Sequence, residues 1–235
     1  MHVPDGILPL WLQALMFGIS ILFLGISVKM VNRKFDERVV PYMGVLAAVI
    51  FAAQLINFPI PPTSGHLVGA TLLGVMLGPW AGMLVIALVL FVQALYGDGG
   101  LLTFGINFFN MGIVGVFVGW SFALLLFKGL KRLINDKKAV VFATAVAAFL
   151  STVIAAFVLG LELLTVDGFG IEALFLITGI HGIIGIGEAI LTTVILLYFV
   201  KAKPKLISFL KDSDTAEMAK IPTIPLTTEP LQEGV

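Results

Sequence analysis

The sequence predicts an all-α integral membrane protein: a bundle of seven transmembrane helices, with an N-terminus that lies outside and turns inward toward the core. Three observations predict it. Hydrophobic residues make up 59% of the 235 positions and charged residues only 12%, and the mean hydropathy is +1.10, whereas a soluble domain is roughly half apolar and a quarter charged. The apolar residues fall into long runs, and the lysines and arginines gather between alternate runs, as a membrane topology requires. The formal net charge is zero and gives no sign of a nucleic-acid partner, while the absence of cysteine excludes disulfides and thiolate metal sites. Any soft-metal chemistry therefore falls to nitrogen, oxygen or thioether ligands.

A bilayer core needs about 20 apolar residues per helix, fewer where a helix is broken or buried in protein. On that basis spans are expected at 8–31, 39–58, 65–78, 80–96, 101–127, 139–161 and 172–200. The first run is too long for a signal-peptide core and no Lys or Arg precedes it, so it is expected to remain in the protein. His2 is too large for ready removal of the residue before it, so Met1 is expected to stay, with a free α-amine. Only "LGPWAG" separates the third run from the fourth. Pro79 there either turns or kinks the chain, and six spans plus a hairpin is the alternative count.

Charge placement orients the bundle. One basic cluster holds Lys29, Arg33, Lys34 and Arg38, a second Lys128, Lys131, Arg132, Lys137 and Lys138, and a third Lys201, Lys203 and Lys205, with Lys211 and Lys220 beyond. With seven spans all three lie on one side, which the positive-inside rule makes cytoplasmic. The opposite loops, "NFPIPPTSGH", "YGDGG" and "LELLTVDGFGIE", carry acids but no Lys or Arg. Residues 1–205 then form a single transmembrane domain. The stretch 206–235, with Pro222, Pro225 and Pro230 among polar residues, is expected to be a partly disordered cytoplasmic tail.

The outer face so defined gathers Met1, His2 and Asp5 with the loops around Asn57 to His66 and around Asp98. A His at position two has a particular chemistry. The α-amine, the deprotonated amide nitrogen of His2 and its Nδ1 can chelate one metal through a five-membered and then a six-membered ring. A fourth nitrogen, such as a ring nitrogen of His66, completes the square plane that Ni(II) and Cu(II) favour. Pro4 and Gly6 allow the sharp turn that pushes the chain end inward. Gln54, Asn57, Gln93, Asn107 and Asn110 fall near the outer ends of their helices. They can serve as helix-to-helix glue or hold the inserted segment through its backbone. Gln54 and Asn57, three apart on one predicted helical face, are expected to support the metal ligands, together with Ser64 and Asn110.

Four stretches carry a resemblance: "MHVPDGIL", "FAAQLINFPIPPTSGHLVGATLLGVMLGPW", "QALYGDGGLLTFGINFFNMGIVG" and "HGIIGIGEAILT". Together they resemble the substrate-binding component of energy-coupling-factor nickel and cobalt transporters, the NikM/CbiM family. The resemblance reaches to about Val200. It implies six helices plus an additional N-terminal span, in the plasma membrane of a prokaryote, and Ni²⁺ or Co²⁺ as transported substrate. It also implies a metal bound near the outer face by the Met1 amine, the His2 amide and ring, and the His66 ring. The implied partners are a transmembrane coupling subunit, two ATPase subunits and often a small additional membrane component. No G-x-x-x-x-G-K-[ST] stretch occurs in this chain, so ATP hydrolysis must come from elsewhere.

His181 and Glu188, seven apart in "GIHGIIGIGEAI", share a helical face. At about 13 Å below the outer end of its helix, His181 is expected to lie too deep to join His66 and to serve in packing. Glu188 is expected to meet partner subunits. Two other readings remain open on the residues: an intramembrane metalloenzyme built from His66, His181 and Glu188, and a passive channel.

Overall fold

The computed structural model describes residues 1–33, 37 and 39–210. Lys34, Arg38, Lys211 and Lys220 of the basic clusters lie outside the described residues, as does the tail from 211 onward. Helix α1 (Leu10–Asn32) buries only Leu12, Gln13, Ser20 and Ser27. Its apolar residues point all round, as expected of a helix bathed in lipid rather than one lying on a soluble core. It is fastened where Ser20 Oγ donates to the Gly105 carbonyl at 2.7 Å.

Helix α2 (Val39–Gln54) stops four residues short of the expected end at Phe58. Beyond it the chain forms a two-stranded antiparallel hairpin, β1 (Asn57–Ile60) with β2 (Thr63–His66), pairing Asn57 with His66 and Ile60 with Thr63. The expectation of an all-α fold is corrected here. Pro59, Pro61 and Pro62 deny the chain helical hydrogen bonds and favour extended backbone. The same correction removes Asn57 from the helical face it was to share with Gln54.

Helices α3 (Ala70–Leu77) and α4 (Pro79–Leu95) meet at Gly78, whose φ of 85° is open to glycine and strained for other residues. Pro79 takes the first position of α4, where its missing N–H is no loss. The break is thus a turn rather than a kink. The eight residues of α3 extend only about 12 Å. Next comes one continuous span, Phe104–Leu130, made of α5 (Phe104–Phe108), a π-helix (Phe109–Val118) and α6 (Gly119–Leu130). Helices α7 (Asp136–Leu163) and α8 (Ile171–Ala202) pair as a hairpin. Among the described residues four helices are long and apolar enough to cross a membrane singly: α1, the 104–130 span, α7 and α8.

The start of the expected tail is folded. Two 3₁₀ turns, Pro204–Leu206 and Ser208–Leu210, lie on the bundle with Ile207 and Leu210 buried, and Ser208 Oγ donates to the Val75 carbonyl at 2.7 Å.

Candidate metal centre

The first three residues leave the surface and enter the bundle. Met1 is 1% exposed, His2 3% and Val3 not at all, although a chain terminus is ordinarily frayed. Backbone groups buried in this way need partners, and the structure supplies them one by one. The His2 N–H donates to Ser64 Oγ at 3.2 Å, and the His2 carbonyl accepts from Thr63 Oγ1 at 2.8 Å. Asn107 grips Val3 at both ends: Oδ1 accepts from the Val3 N–H at 2.8 Å and Nδ2 donates to its carbonyl at 3.1 Å. Thr103 Oγ1 donates to that carbonyl as well, at 2.6 Å. The Asp5 carboxylate accepts from the N–H groups of Leu102 and Thr103, both at 3.0 Å. Here Gly100 is required, because a Cβ on it would collide with the Asp5 carboxylate and fall 2.6 Å from the Asp5 backbone nitrogen.

This anchorage sets His2 against His66, the last residue of β2. Their rings stack with centroids 4.5 Å apart and planes inclined by 23°. His66 Nδ1 lies 2.8 Å from the Leu67 carbonyl. A carbonyl only accepts, so Nδ1 carries the proton and Nε2 keeps its lone pair. That Nε2 is buried without a hydrogen-bond partner, and so are both ring nitrogens of His2. His2 Nδ1 does lie 3.3 Å from Asp98 Oδ1. Asp98, 31% exposed, also accepts from Asn57 Nδ2 at 3.3 Å. The Gln93 amide lies beside the His2 ring as well, buried, with neither of its own polar atoms satisfied.

Burial keeps this group of nitrogens neutral. It lowers the pKa of the Met1 amine to about 4, although the charge of Asp98 pulls the other way. Burial likewise holds His2 below its ordinary value against the opposing pull of Asp98. His66 is held well below its own, by burial first and then by the nearby charges of the amine and of His2. For Asp98, burial pushes up, but the contact with His2 and the neighbouring positive charges outweigh it and leave the carboxyl below its ordinary value. Neutral amine and imidazole nitrogens are the forms that bind metal.

The supporting residues divide. Gln54, buried at the end of α2, donates from Nε2 to the Val68 carbonyl at 2.8 Å and so steadies the chain just after His66. Ser64 meets the His2 amide, and Asn57 reaches His2 only through Asp98. Asn110 is not part of this group: its Nδ2 donates to Glu162 at 2.7 Å. Nor does Glu188 face a partner. It is 2% exposed, and its carboxylate accepts the N–H groups of Val68 and Gly69, where it fixes the turn that carries His66 toward α3. Those two N–H groups lie on a segment with no helical periodicity to place it over α8, which is why the spacing of His181 and Glu188 left this role hidden. Thr63 and Thr103 were missed too, since a lone hydroxyl in a loop gives no signal in one sequence.

Among the described residues no group of three or more His, Cys, Asp or Glu side chains could hold a metal ion together. What the fold brings together is the buried chain end of residues 1 and 2 and the stacked imidazoles of His2 and His66. Residues 2–206 match the family described as "Cobalt uptake substrate-specific transmembrane region". A protein of Archaeoglobus fulgidus provisionally named as a fused nickel transport protein, NikMN, is 36% identical over 212 residues, which are 88% of this chain and 68% of that protein. A fused nickel transport protein NikMN of Rhodobacter capsulatus is 32% identical over 177 residues, 74% of this chain and 48% of that protein. The crystal structure of a truncated transition metal transporter superposes with a TM-score of 0.78 at 32% identity, covering 86% of this chain and 99% of that one.

Proposed function

This chain belongs to the CbiM family of cobalt uptake substrate-specific transmembrane proteins, and from that premise we propose that it captures Ni²⁺ or Co²⁺ as substrate through four nitrogens of Met1, His2 and His66. It is a transporter component rather than an enzyme. The observation that carries the reading is the buried meeting of the chain's amino end with two imidazoles, where both ring nitrogens of His2 and Nε2 of His66 lack hydrogen-bond partners among the described residues. The α-amine, the deprotonated His2 amide and His2 Nδ1 close the two chelate rings, and His66 Nε2 takes the fourth corner of the plane. On entry the ion takes the place of Asp98 at Nδ1, and this half-exposed carboxylate is the first charge that an arriving cation meets. The amide proton leaves through Ser64, its hydrogen-bond partner. Nitrogen donors in a plane select against Mg²⁺ and Ca²⁺, which prefer oxygen ligands and higher coordination numbers.

In the full reading the bundle has seven spans, six plus the N-terminal one, in a prokaryotic plasma membrane. The metal site lies outside and the basic loops face the cytoplasm, as the charge distribution supports. A coupling subunit, two ATPase subunits and a small additional membrane component complete the importer. The test is nickel binding, by calorimetry and metal analysis, on two purified forms that differ by one glycine placed ahead of Met1. About one equivalent in the native form and none in the extended one is the expected result. Equal binding by both would remove the amine from the ligand set.

A further inference from the structure

His181 has no part in the scheme above, yet its ring is prepared as that of His66 is. It is wholly buried on α8. Its Nδ1 lies 2.8 Å from the Ile177 carbonyl, which fixes the proton there and leaves the lone pair on Nε2. That Nε2 is buried and has no partner among the described residues. A buried acceptor left empty is unfavourable, so it calls for a donor.

The neighbours of His181 say which donor. The face of α8 that bears it packs on the segment carrying His66: a Cβ at Gly65 would fall 2.7 Å from Ile184 Cδ1, and Glu188 accepts from Val68 and Gly69. Met1 lines a small cavity with Glu188, Val68 and Thr71, so its side chain points inward along this face. His181 stands two helical turns, about 10 Å, nearer the outer end than Glu188. His181 lies near enough to the α-amine and to His66 for a charge on one to be felt by the other. A metal-bound amine keeps two N–H bonds that must point somewhere in this dry site. We infer that His181 Nε2 accepts a hydrogen bond from the Met1 α-amine and so turns the amine's own lone pair toward the ion.

His181 is thus a positioning residue that acts through Met1, an assignment that rests on the ligand set proposed above. The expectation that it lies too deep and serves only in packing gives way, because the chain end descends to meet it. The experiment compares native and glycine-extended protein, each with His181 or His181→Leu, and adds His181→Gln in the native form. Ni²⁺ affinity is measured by calorimetry and Cu²⁺ affinity by chelator competition, since copper binds nitrogen sites more tightly and keeps the weakened extended forms measurable. His181→Leu is expected to weaken Ni²⁺ binding of the native form by about 10–100-fold, as loss of an orienting partner does elsewhere. The visible band of the bound Ni²⁺ should stay in place, because the four ligands are unchanged. His181→Gln, which keeps an acceptor, should stay within about threefold of native. In the extended form, where the amine no longer ligates, His181→Leu should have no further effect on Cu²⁺. An unchanged native affinity, equal losses in native and extended forms, or a shifted visible band would overturn the inference. Failure of the ligand set itself has a separate signature: the glycine extension alone would leave binding intact.

Discussion

Nickel affinity is expected to rise by about tenfold for each pH unit between about pH 6 and pH 8, and by no more. The perturbation is pH alone. The slope follows from how many protons the ion must displace. In a flexible peptide of the same sequence the amine and both imidazoles would hold protons at pH 6. Together with the amide they would release more than three per metal, and affinity would climb about 10⁵-fold by pH 8. Here burial has already stripped the amine, with its pKa near 4, and holds both imidazoles below their ordinary range. Only the His2 amide still carries a proton that must leave, and one proton gives about 1.4 kcal/mol per pH unit, or about a hundredfold over the window. The sign is fixed, since expelling a proton favours binding at higher pH. Equilibrium dialysis against Ni²⁺ in a non-chelating buffer, with metal analysis of both chambers, reads the slope. A flat profile would mean that the amide stays protonated and is not a ligand. A slope of two or three would mean that the amine or imidazoles are exposed to water, against their burial here.

Asn107→Leu removes both of its hydrogen bonds to Val3 and leaves the Val3 N–H buried without a partner, worth about 1–3 kcal/mol, while the Val3 carbonyl keeps Thr103 Oγ1. Calorimetry should show Ni²⁺ affinity reduced by about 10–100-fold. Gly100→Ala drives a methyl into Asp5 and loosens its hold on Leu102 and Thr103. The chain end should then become a substrate for an aminopeptidase that leaves the native protein intact, a change read by mass spectrometry. Glu188→Leu removes the carboxylate that accepts the Val68 and Gly69 N–H groups, and should destabilise the metal-free protein by about 1.5–3 kcal/mol. Unfolding in detergent followed by circular dichroism measures it, and an unchanged midpoint would show that the 67–69 turn holds without that charge.

The long spans were legible in the sequence because apolar length is a local property. The proposed donors Met1 and His2 were legible because the chelate rings of a terminal Met-His are local too. What escaped the sequence is what depends on distant segments meeting. Nothing in "NFPIPPTSGH" says that its prolines build a hairpin rather than an open loop. Nothing near Thr103 says that it faces Val3, some hundred positions away. Glu188 read as a charge in search of a partner subunit, while its partners are two amides inside the same chain. Asn110 and Asn107 share one helix and one residue type, yet one holds Glu162 and the other holds the chain end. Only the packing of α7 against the π-helix separates their roles.

The entry of residues 1–3 into the bundle, with Asp5 holding the chain behind them, shapes how a captured ion can ever leave. Three of the four proposed donor nitrogens sit on the first two residues, so they cannot let go in sequence as independent side chains would. Withdrawal of this one short strand peels them off together, once Asp5, Val3 and the His2 carbonyl have come free of Leu102, Asn107 and Thr63. Discharge is then an unzipping that begins at the fifth residue and ends at the first. Its rate is set by the grip on the peptide rather than by the strength of any single metal–nitrogen bond.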